Sequence, residues 1–467
     1  MRFYFLILIL LSYRNFSFCQ PGAVDMSFDI GKGFNAPVKD IQIGKENNIL
    51  IGGGFDSLDN KEFHKICNLS VDGSIRSDFL SGLEKYDYVS SILYLNQKIL
   101  IGGNFNNYNK KKRNGLLRFF EDGSIDSTFK TDTTFNSFNI IKLLERTDSK
   151  ILACGHLKTK NNVLLRGPIL FNNNGSIDST YKLSGSFDST IRNMVIQKDG
   201  KVLCVGDFRK YGNYATNFIA RLNQDGTLDT TFKAGKYLKG KFCSDIKVDA
   251  NNKIIVVGNF DSVGTKRQSG IVRFTQNGHP DTSFHVSSGF KGVSTFNDVY
   301  TLALQPNGKI LVGGIFYTYN GKPANRICRL LNNGELDYSF FNNPDFKGPV
   351  YKITIQNDGN ILVGGSFYNF NPSNHITRLM GGEIIGVKNQ SVEEKISIYP
   401  NPVSEKLYFN LTETGKIFVE DFCGRIVLEK EVSSPLDYFN VQSLEKGVYY
   451  IRFKSNKSSI GLKFIKN

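Results

Sequence analysis

Tryptophan is absent from this 467-residue sequence, and histidine (5), methionine (4), cysteine (7) and proline (12) are sparse. With 45 glycines and no tryptophan, the composition describes a turn-rich chain rather than an aromatic-lined sugar groove. His64, His156, His279, His285 and His375 have no metal-ligand spacing among themselves or with cysteines. Only His279 and His285 are close, and they flank a recurring β motif. A Gly-x-Ser-x-Gly elbow and a phosphate-binding loop are missing as well, so hydrolase and nucleotide chemistry have no visible constellation. Beyond the N-terminus no apolar run approaches the ~20 residues that span a bilayer, and the remainder is expected to be soluble.

Basic residues outnumber acidic ones 58 to 43, giving a formal net charge of +15. The excess is spread thinly, which argues against a specific nucleic-acid partner. The one dense cluster, Lys110, Lys111, Lys112 and Arg113, falls between strands, is expected to lack a counterpart in the other repeats, and reads as a solvated turn. At the N-terminus Arg2 precedes an apolar run from Phe3 to Leu11, and Ser17-Phe18-Cys19 puts small residues at the two sites a signal peptidase inspects. Residues 1–19 are therefore expected to be a signal peptide cleaved near Cys19 or Gln20. The run is too short for a membrane anchor, and bulky Phe18 disfavours lipidation of Cys19.

The chain is too long for one ordinary core, so it should be multidomain or repetitive. Self-similarity decides for repeats. An apolar strand ending in glycine recurs with Gly52, Gly53 and Phe55; Gly102, Gly103 and Phe105; Gly313, Gly314 and Phe316; and Gly364, Gly365 and Phe367. Weaker copies end at Leu157, Phe208 and Phe260, and the seven copies are spaced 50 to 56 residues apart. A second motif follows the first six copies, clearest as Asp122-Gly123-Ser124-Ile125-Asp126-Ser127-Thr128-Phe129 and as Asp225-Gly226 with Asp229 and Phe232.

Unit six displays the local logic. A strand through Val299, Leu302 and Leu304 meets the turn Gln305 to Lys309, where Asn307-Gly308 accepts a positive φ. The glycine-ended strand follows, then a return through Ile327 to Leu330 and a short strand into Phe340. Four short strands per unit is the content of one propeller blade. The fold expected is all-β: a seven-bladed β-propeller over 21–382. Asp25 to Phe28 would pair with Ile376 to Leu379, so that an N-terminal strand closes the last blade and no sheet edge stays open. The glycines are read as structural, placed where a side chain would obstruct a neighbouring backbone, with the nearby Phe filling the wedge between blades.

Arg221-Leu222, Asp225-Gly226, Asp229 and Phe232, and likewise Arg329-Leu330, Asn333-Gly334, Asp337 and Phe340, resemble the delta-60 family of bacterial propeller-like repeats. That resemblance covers roughly 21–382 and implies a fold but no settled activity. Asp122, Asp126, Asp225 and Asp229 leave bound calcium open as a minor reading, although too few ligands recur for a calcium loop. The favoured reading is that the first Asp caps its turn and the second ties the outer strand to a neighbouring loop. Cys67 and Cys328, Cys154 and Cys204, and Cys243 occupy repeat positions and are expected to be buried free thiols. No cofactor is expected.

A linker over 383–395 is expected to lead into a small C-terminal antiparallel β-sandwich over 396–467. Tyr399, Pro400, Asn401 and Pro402 near its start, Gly424-Arg425, Gly447 and Tyr449, and the terminal Lys463 to Lys466 resemble the type A sorting domain of the type IX secretion route of Bacteroidetes. The resemblance implies passage through the periplasm, transport across the outer membrane by the type IX machinery, and frequent removal of the domain there. The function expected is a secreted or cell-surface noncatalytic binding or scaffold protein, monomeric, with an unidentified glycan or protein ligand. The alternatives are a secreted enzyme acting on an extracellular polymer and a purely structural surface protein. A buried acidic cluster with perturbed protonation would favour the enzyme. An aromatic or charged patch at one rim would favour the binder.

Overall fold

A computed structural model describes residues 21–77, 82–131, 135–161, 163–292, 298–340, 346–368, 374–381, 396–399, 403–411, 415–421, 425–432, 436–454 and 459–466. The chain divides into two compact units, one of them Pro21–Glu383, the other containing Ile384–Asn467. The expected signal peptide and linker lie outside the described residues.

Seven repeats share one local plan. A first strand, such as Val299–Leu304, pairs antiparallel with the glycine-ended strand Ile310–Gly314, which pairs on its other side with the return Ile327–Leu330. The connecting turn closes by bonds between Gln305 and Lys309 and between Gly308 and Gln305, with Gly308 at φ +84°. Seven apolar clusters lie between successive units rather than within them. One joins Val350 and Val363 of unit seven to Leu311 of unit six, and another joins Leu362 and Ile376 of unit seven to Val38, Ile49 and Ile51 of unit one. No unit can therefore bury its apolar face alone.

The expected seven-bladed propeller is corrected by the sheets themselves. Among the described residues they are several and small, and none closes on itself or curls. Units four, six and seven are three-stranded, and units two and three share one seven-stranded sheet through the pairing of Asn139 with Asn104. The fourth strand fails for a local reason. The aspartate motif makes only isolated bridges, such as Leu222 with Leu228 and Leu330 with Leu336, because its carboxylates accept from the chain two residues on and turn it. Among the described residues only unit one forms this outer segment as a strand, Ile75–Ser77, whereas unit five gains its fourth strand from the loop hairpin at Lys266–Arg267.

The N-terminal strand closure is corrected too. Asp25 to Phe28 form a turn, not a strand. The contact with Ile376–Leu379 is one isolated bridge, Val24 with Leu379, flanked by the bonds Gly22 N to Met380 O and Asp25 N to Arg378 O.

Both glycines of the pair have specific partners. In all seven units the first strand carries a one-residue bulge, with its register shifting between Val89 and Ser91 in unit two. The bulge drives a carbonyl toward the second glycine. A Cβ on Gly53, Gly103, Gly314 or Gly365 would overlap the carbonyl oxygen of Pro37, Tyr88, Asp298 or Pro349. A Cβ on Gly52, Gly102, Gly313 or Gly364 would instead strike Val89, Ile140, Val350 or Val38 of the next unit. Phe55, Phe316 and Phe367 pack on an aromatic ahead of the same unit's first strand, Phe34, Phe290 and Phe346, at 4.1, 4.3 and 4.7 Å. Phe105 belongs to the cluster joining units one and two.

In the C-terminal unit, strands Ile396–Tyr399, Lys406–Leu411 and Leu436–Asn440 form one antiparallel sheet, and Gly415–Glu420, Ile426–Val432, Gly447–Lys454 and Ser459–Lys466 another. Leu407, Phe409 and Phe439 from the first share a core with Ile417, Ile451 and Phe464 from the second.

Candidate functional site

The recurring Arg, Asp and Phe form an ionic tie between units. In unit four Asp229 Oδ2 accepts from Arg221 Nε at 2.9 Å and from Lys201 Nζ at 2.8 Å, while its Oδ1 accepts from Thr231. The Arg221 guanidinium lies 4.6 Å over the Phe232 ring, and its Nη1 donates to Gln276 O in unit five at 2.6 Å. Unit two repeats this with Asp126, Arg118, Lys98 and Phe129, Nη1 reaching both O and Oδ1 of Asn173 at 2.6 Å. Units five and six do so through Arg273 and Arg329. Arg378 and Asp25 make the same pair at 2.6 Å between the two ends of the repeat domain. The second aspartate therefore serves an arginine of its own unit, and the arginine makes the link to the neighbour. Asp122 and Asp225 cap their own turns, as expected. Both carboxylate oxygens of Asp126 and Asp229, and the Oδ1 of Asp122 and Asp225, already accept from protein donors.

Unit three has Leu170 in the arginine slot, and Arg146 donates instead to Gln224 O at 2.9 Å. Unit one has Asn48, Asn68 and Arg76 where unit two has Lys98, Arg118 and Asp126.

A second set of polar residues was not singled out from sequence. Immediately after each bulge stands one polar side chain: Asp40, Ser91, Lys142, Asn193, Asp245, Thr301 and Lys352. Lys352 Nζ lies 2.7 Å from Asp40, whose Oδ2 accepts from Ile92 N in unit two. Ser91 Oγ accepts from Leu143 N, Asn193 donates to Asp245 at 2.6 Å, and Asp245 Oδ2 accepts from Leu302 N at 2.8 Å. Burial alone would raise the Asp40 carboxyl, but Lys352, Lys142 and the Ile92 N–H outweigh it and hold it below the usual range. Burial, assisted by Lys352 and Lys247, pushes the Lys142 ammonium down to about 8. The available signal was a polar residue recurring at one register position between apolar neighbours; its changing identity hid it.

The bulged residues beside this cluster carry aromatic and cationic groups. Lys39 Nζ lies 3.8 Å over the Tyr351 ring, and Tyr351 meets Tyr300 edge-on at 5.3 Å. Arg192 stacks on Phe242 at 4.1 Å and also pairs with Asp207. All three aromatic side chains are partly exposed.

The five described cysteines are buried and free. Lys111 and Lys112 are exposed on a two-residue hairpin strand, and such hairpins recur in other units, as at Lys266–Arg267 and Lys322–Pro323. The hairpin that carries the basic cluster thus recurs, whereas the run of four basic residues does not.

Of the sorting residues, Tyr399 ends a strand and Gly447 and Tyr449 lie in the strand Gly447–Lys454. Tyr449 stacks on Phe464 at 5.5 Å and donates to Glu445 O. Lys463 faces Tyr450 in register, and Lys466 is buried opposite Gly447. Pro400, Asn401, Pro402 and Gly424 lie outside the described residues.

Two family models match the chain. Residues 97–129, 197–232, 250–284, 305–340 and 356–380 match a domain of unknown function described as a β-propeller, DUF5122, and 397–467 match a secretion system C-terminal sorting domain. The chain thus carries a repeat domain of the DUF5122 type and a sorting domain of the type IX route, and is a secreted or outer-surface protein. No curated protein matches. Similar solved structures include PorZ, a surface component of the type IX secretion system of Porphyromonas gingivalis, at 12% identity and TM-score 0.36, covering 91% of this chain and 64% of that one. This chain therefore spans less than two thirds of that protein's length. A gluconolactonase of Xanthomonas campestris is similar at 10% identity and TM-score 0.39, covering 75% of this chain and 97% of that one.

Proposed function

We propose that the repeat domain is a noncatalytic binding module delivered to the cell surface or medium, and that its ligand docks at the first-strand bulges. The observation that carries this reading is the row Lys39, Tyr351, Tyr300, with Arg192 on Phe242 beside it. Such aromatic and cationic groups contribute contact area at low entropic cost. Behind them Asp40, Ser91, Asn193, Asp245 and Lys352 are engaged with the next unit's backbone or with each other, a structural use. A glycan or protein segment is the ligand class that fits, bound by one copy of the chain. The finer kinship is with delta-60 repeats. An array of glycans and matrix proteins probed with the exported protein tests it: the strongest ligand should lose most of its signal with Tyr300→Ala/Tyr351→Ala, and an unchanged signal refutes the site.

For delivery, residues 1–19 direct passage to the periplasm, and 383–395 supply the segment where the sorting domain, 396–467, is removed. Fractionation and intact-mass measurement of full-length and Glu383-truncated chains test this. Equal export of both forms removes the sorting role, and an exported uncleaved chain removes the processing step.

A further inference from the structure

Unit one breaks the ionic tie, and the break leaves a cavity. Asn48, Asn68 and Arg76 stand where unit two has Lys98, Arg118 and Asp126, and a cavity of about 240 Å³ is lined by Lys45, Glu46, Asn48, Asn68, Arg76 and Glu121. Asn68 is 5% exposed, and its Oδ1 has no hydrogen-bond partner. Asn48 Oδ1 and Glu121 Oε1 are likewise buried without a partner. Leaving such atoms unsatisfied destabilises the fold, so the site is poised for donors.

The repeats themselves indicate which donor. Glu121 occupies the turn position held by Asn173 in unit three and Asn332 in unit six. In both, the side-chain oxygen at that position accepts from a guanidinium, Asn173 from Arg118 and Asn332 from Arg273 at 2.9 Å. Opposite unit one the acceptor stays, on unit two, and is now a carboxylate, while the arginine of unit one that would reach it has become Asn68. The only arginine in the lining, Arg76, is engaged with Glu46 at 3.2 Å. Unit three shows the contrast: its missing arginine is replaced by Arg146, which takes the vacated carbonyl.

We propose that this cavity accepts the guanidinium of an arginine side chain from a partner protein, with Glu121 and Asn68 as acceptors. A planar fork of N–H donors matches acceptors on two sides of the slot. A sugar is the less suited guest, because no aromatic lines the cavity to stack on it. This site is separate from the bulge row and does not depend on it.

The test uses the full exported chain and N-acetyl-arginine-N-methylamide as probe, in a ligand-observed NMR titration. Saturable binding is expected, weakened about tenfold or more in Glu121→Gln and by the neutral citrulline analogue, in line with a charge-assisted hydrogen bond. The triple variant Asn48→Lys/Asn68→Arg/Arg76→Asp rebuilds the tie of the other units and should abolish binding. No binding to the wild type, equal binding by the citrulline analogue, or displacement of the probe by methyl glucoside would overturn the proposal. So would undiminished binding in the folded triple variant; if that variant fails to fold, Glu121→Gln decides.

Discussion

Asp337 offers the cleanest measure of what the inter-unit tie contributes. Its side chain is 6% exposed and Arg329 beside it 1%, at 2.7 Å. Burial would raise the Asp337 carboxyl, but Ser339 and Arg329 bring it down to about 2. Against an unfolded value of ~3.9, a folded value near 2 corresponds to roughly 2.5 kcal/mol of stability. That contribution is nearly complete above pH ~4 and is lost as pH falls toward 2, because over that range the unfolded chain binds a proton that the folded state does not. Asp337→Asn also leaves Arg329 buried without its counter-charge, so about 3 kcal/mol should be lost at pH 7. With no tryptophan to report, urea unfolding is followed by far-UV circular dichroism. A midpoint lower by roughly 1 M is expected at pH 7, shrinking as pH approaches 2. The double variant Asp337→Asn/Arg329→Met should cost less than the sum of the two singles, since removing both charges also removes their desolvation cost. Equal midpoints at pH 7, or a gap that persists unchanged at pH 2, would refute the reasoning.

Gly103→Ala should destabilise the chain by more than ~1 kcal/mol, because the added Cβ overlaps the Tyr88 carbonyl oxygen, and a urea titration in which it costs less than an alanine on exposed Gly212 would contradict the close-approach account. Lys142 should titrate near pH 8, far below the ~10.4 of an ordinary lysine, and isotope-labelled reductive methylation read by NMR should show one such resonance that vanishes in Lys142→Met. A lysine spectrum with every resonance near the ordinary value would remove the buried-amine assignment.

Much of the local architecture was legible because its causes are periodic. The paired glycines, the Asn-Gly turn at Gly308 and the Asp-Gly motif recur at near-constant spacing, each for a backbone reason that any copy must meet. What misled was the strand count. Asp229 and its equivalents carry short side chains that turn the chain back on itself, so the segment expected as a fourth strand yields only a bridge, and Asp25 to Phe28 does likewise at the other end. The post-bulge set was illegible for another reason. Asp40, Ser91, Lys142, Asn193, Asp245, Thr301 and Lys352 share a place but no chemistry, so a search for repeated residue types passes over them.

Regularity also gives departures their meaning. A lone Asn68 is an unremarkable residue in a polar-rich chain. Set in the register where Arg118, Arg221, Arg273, Arg329 and Arg378 all reach a neighbouring unit, it is a missing cation. Two units lack that arginine, and a cavity adjoins each of them, one lined by Asn68 and the other by Leu170. Leu170 is offset by Arg146, which supplies the lost bond from another strand end. Asn68 has no such substitute: Arg76 inverts the charge at the aspartate position and turns to Glu46. A repeat that had merely decayed would be expected to lose the acceptors along with the donor, since each unpaired buried oxygen destabilises the fold. Here Glu121 places a formal charge at the acceptor position instead, which makes the vacancy more selective for a cation than the intact units' own amide oxygens would be.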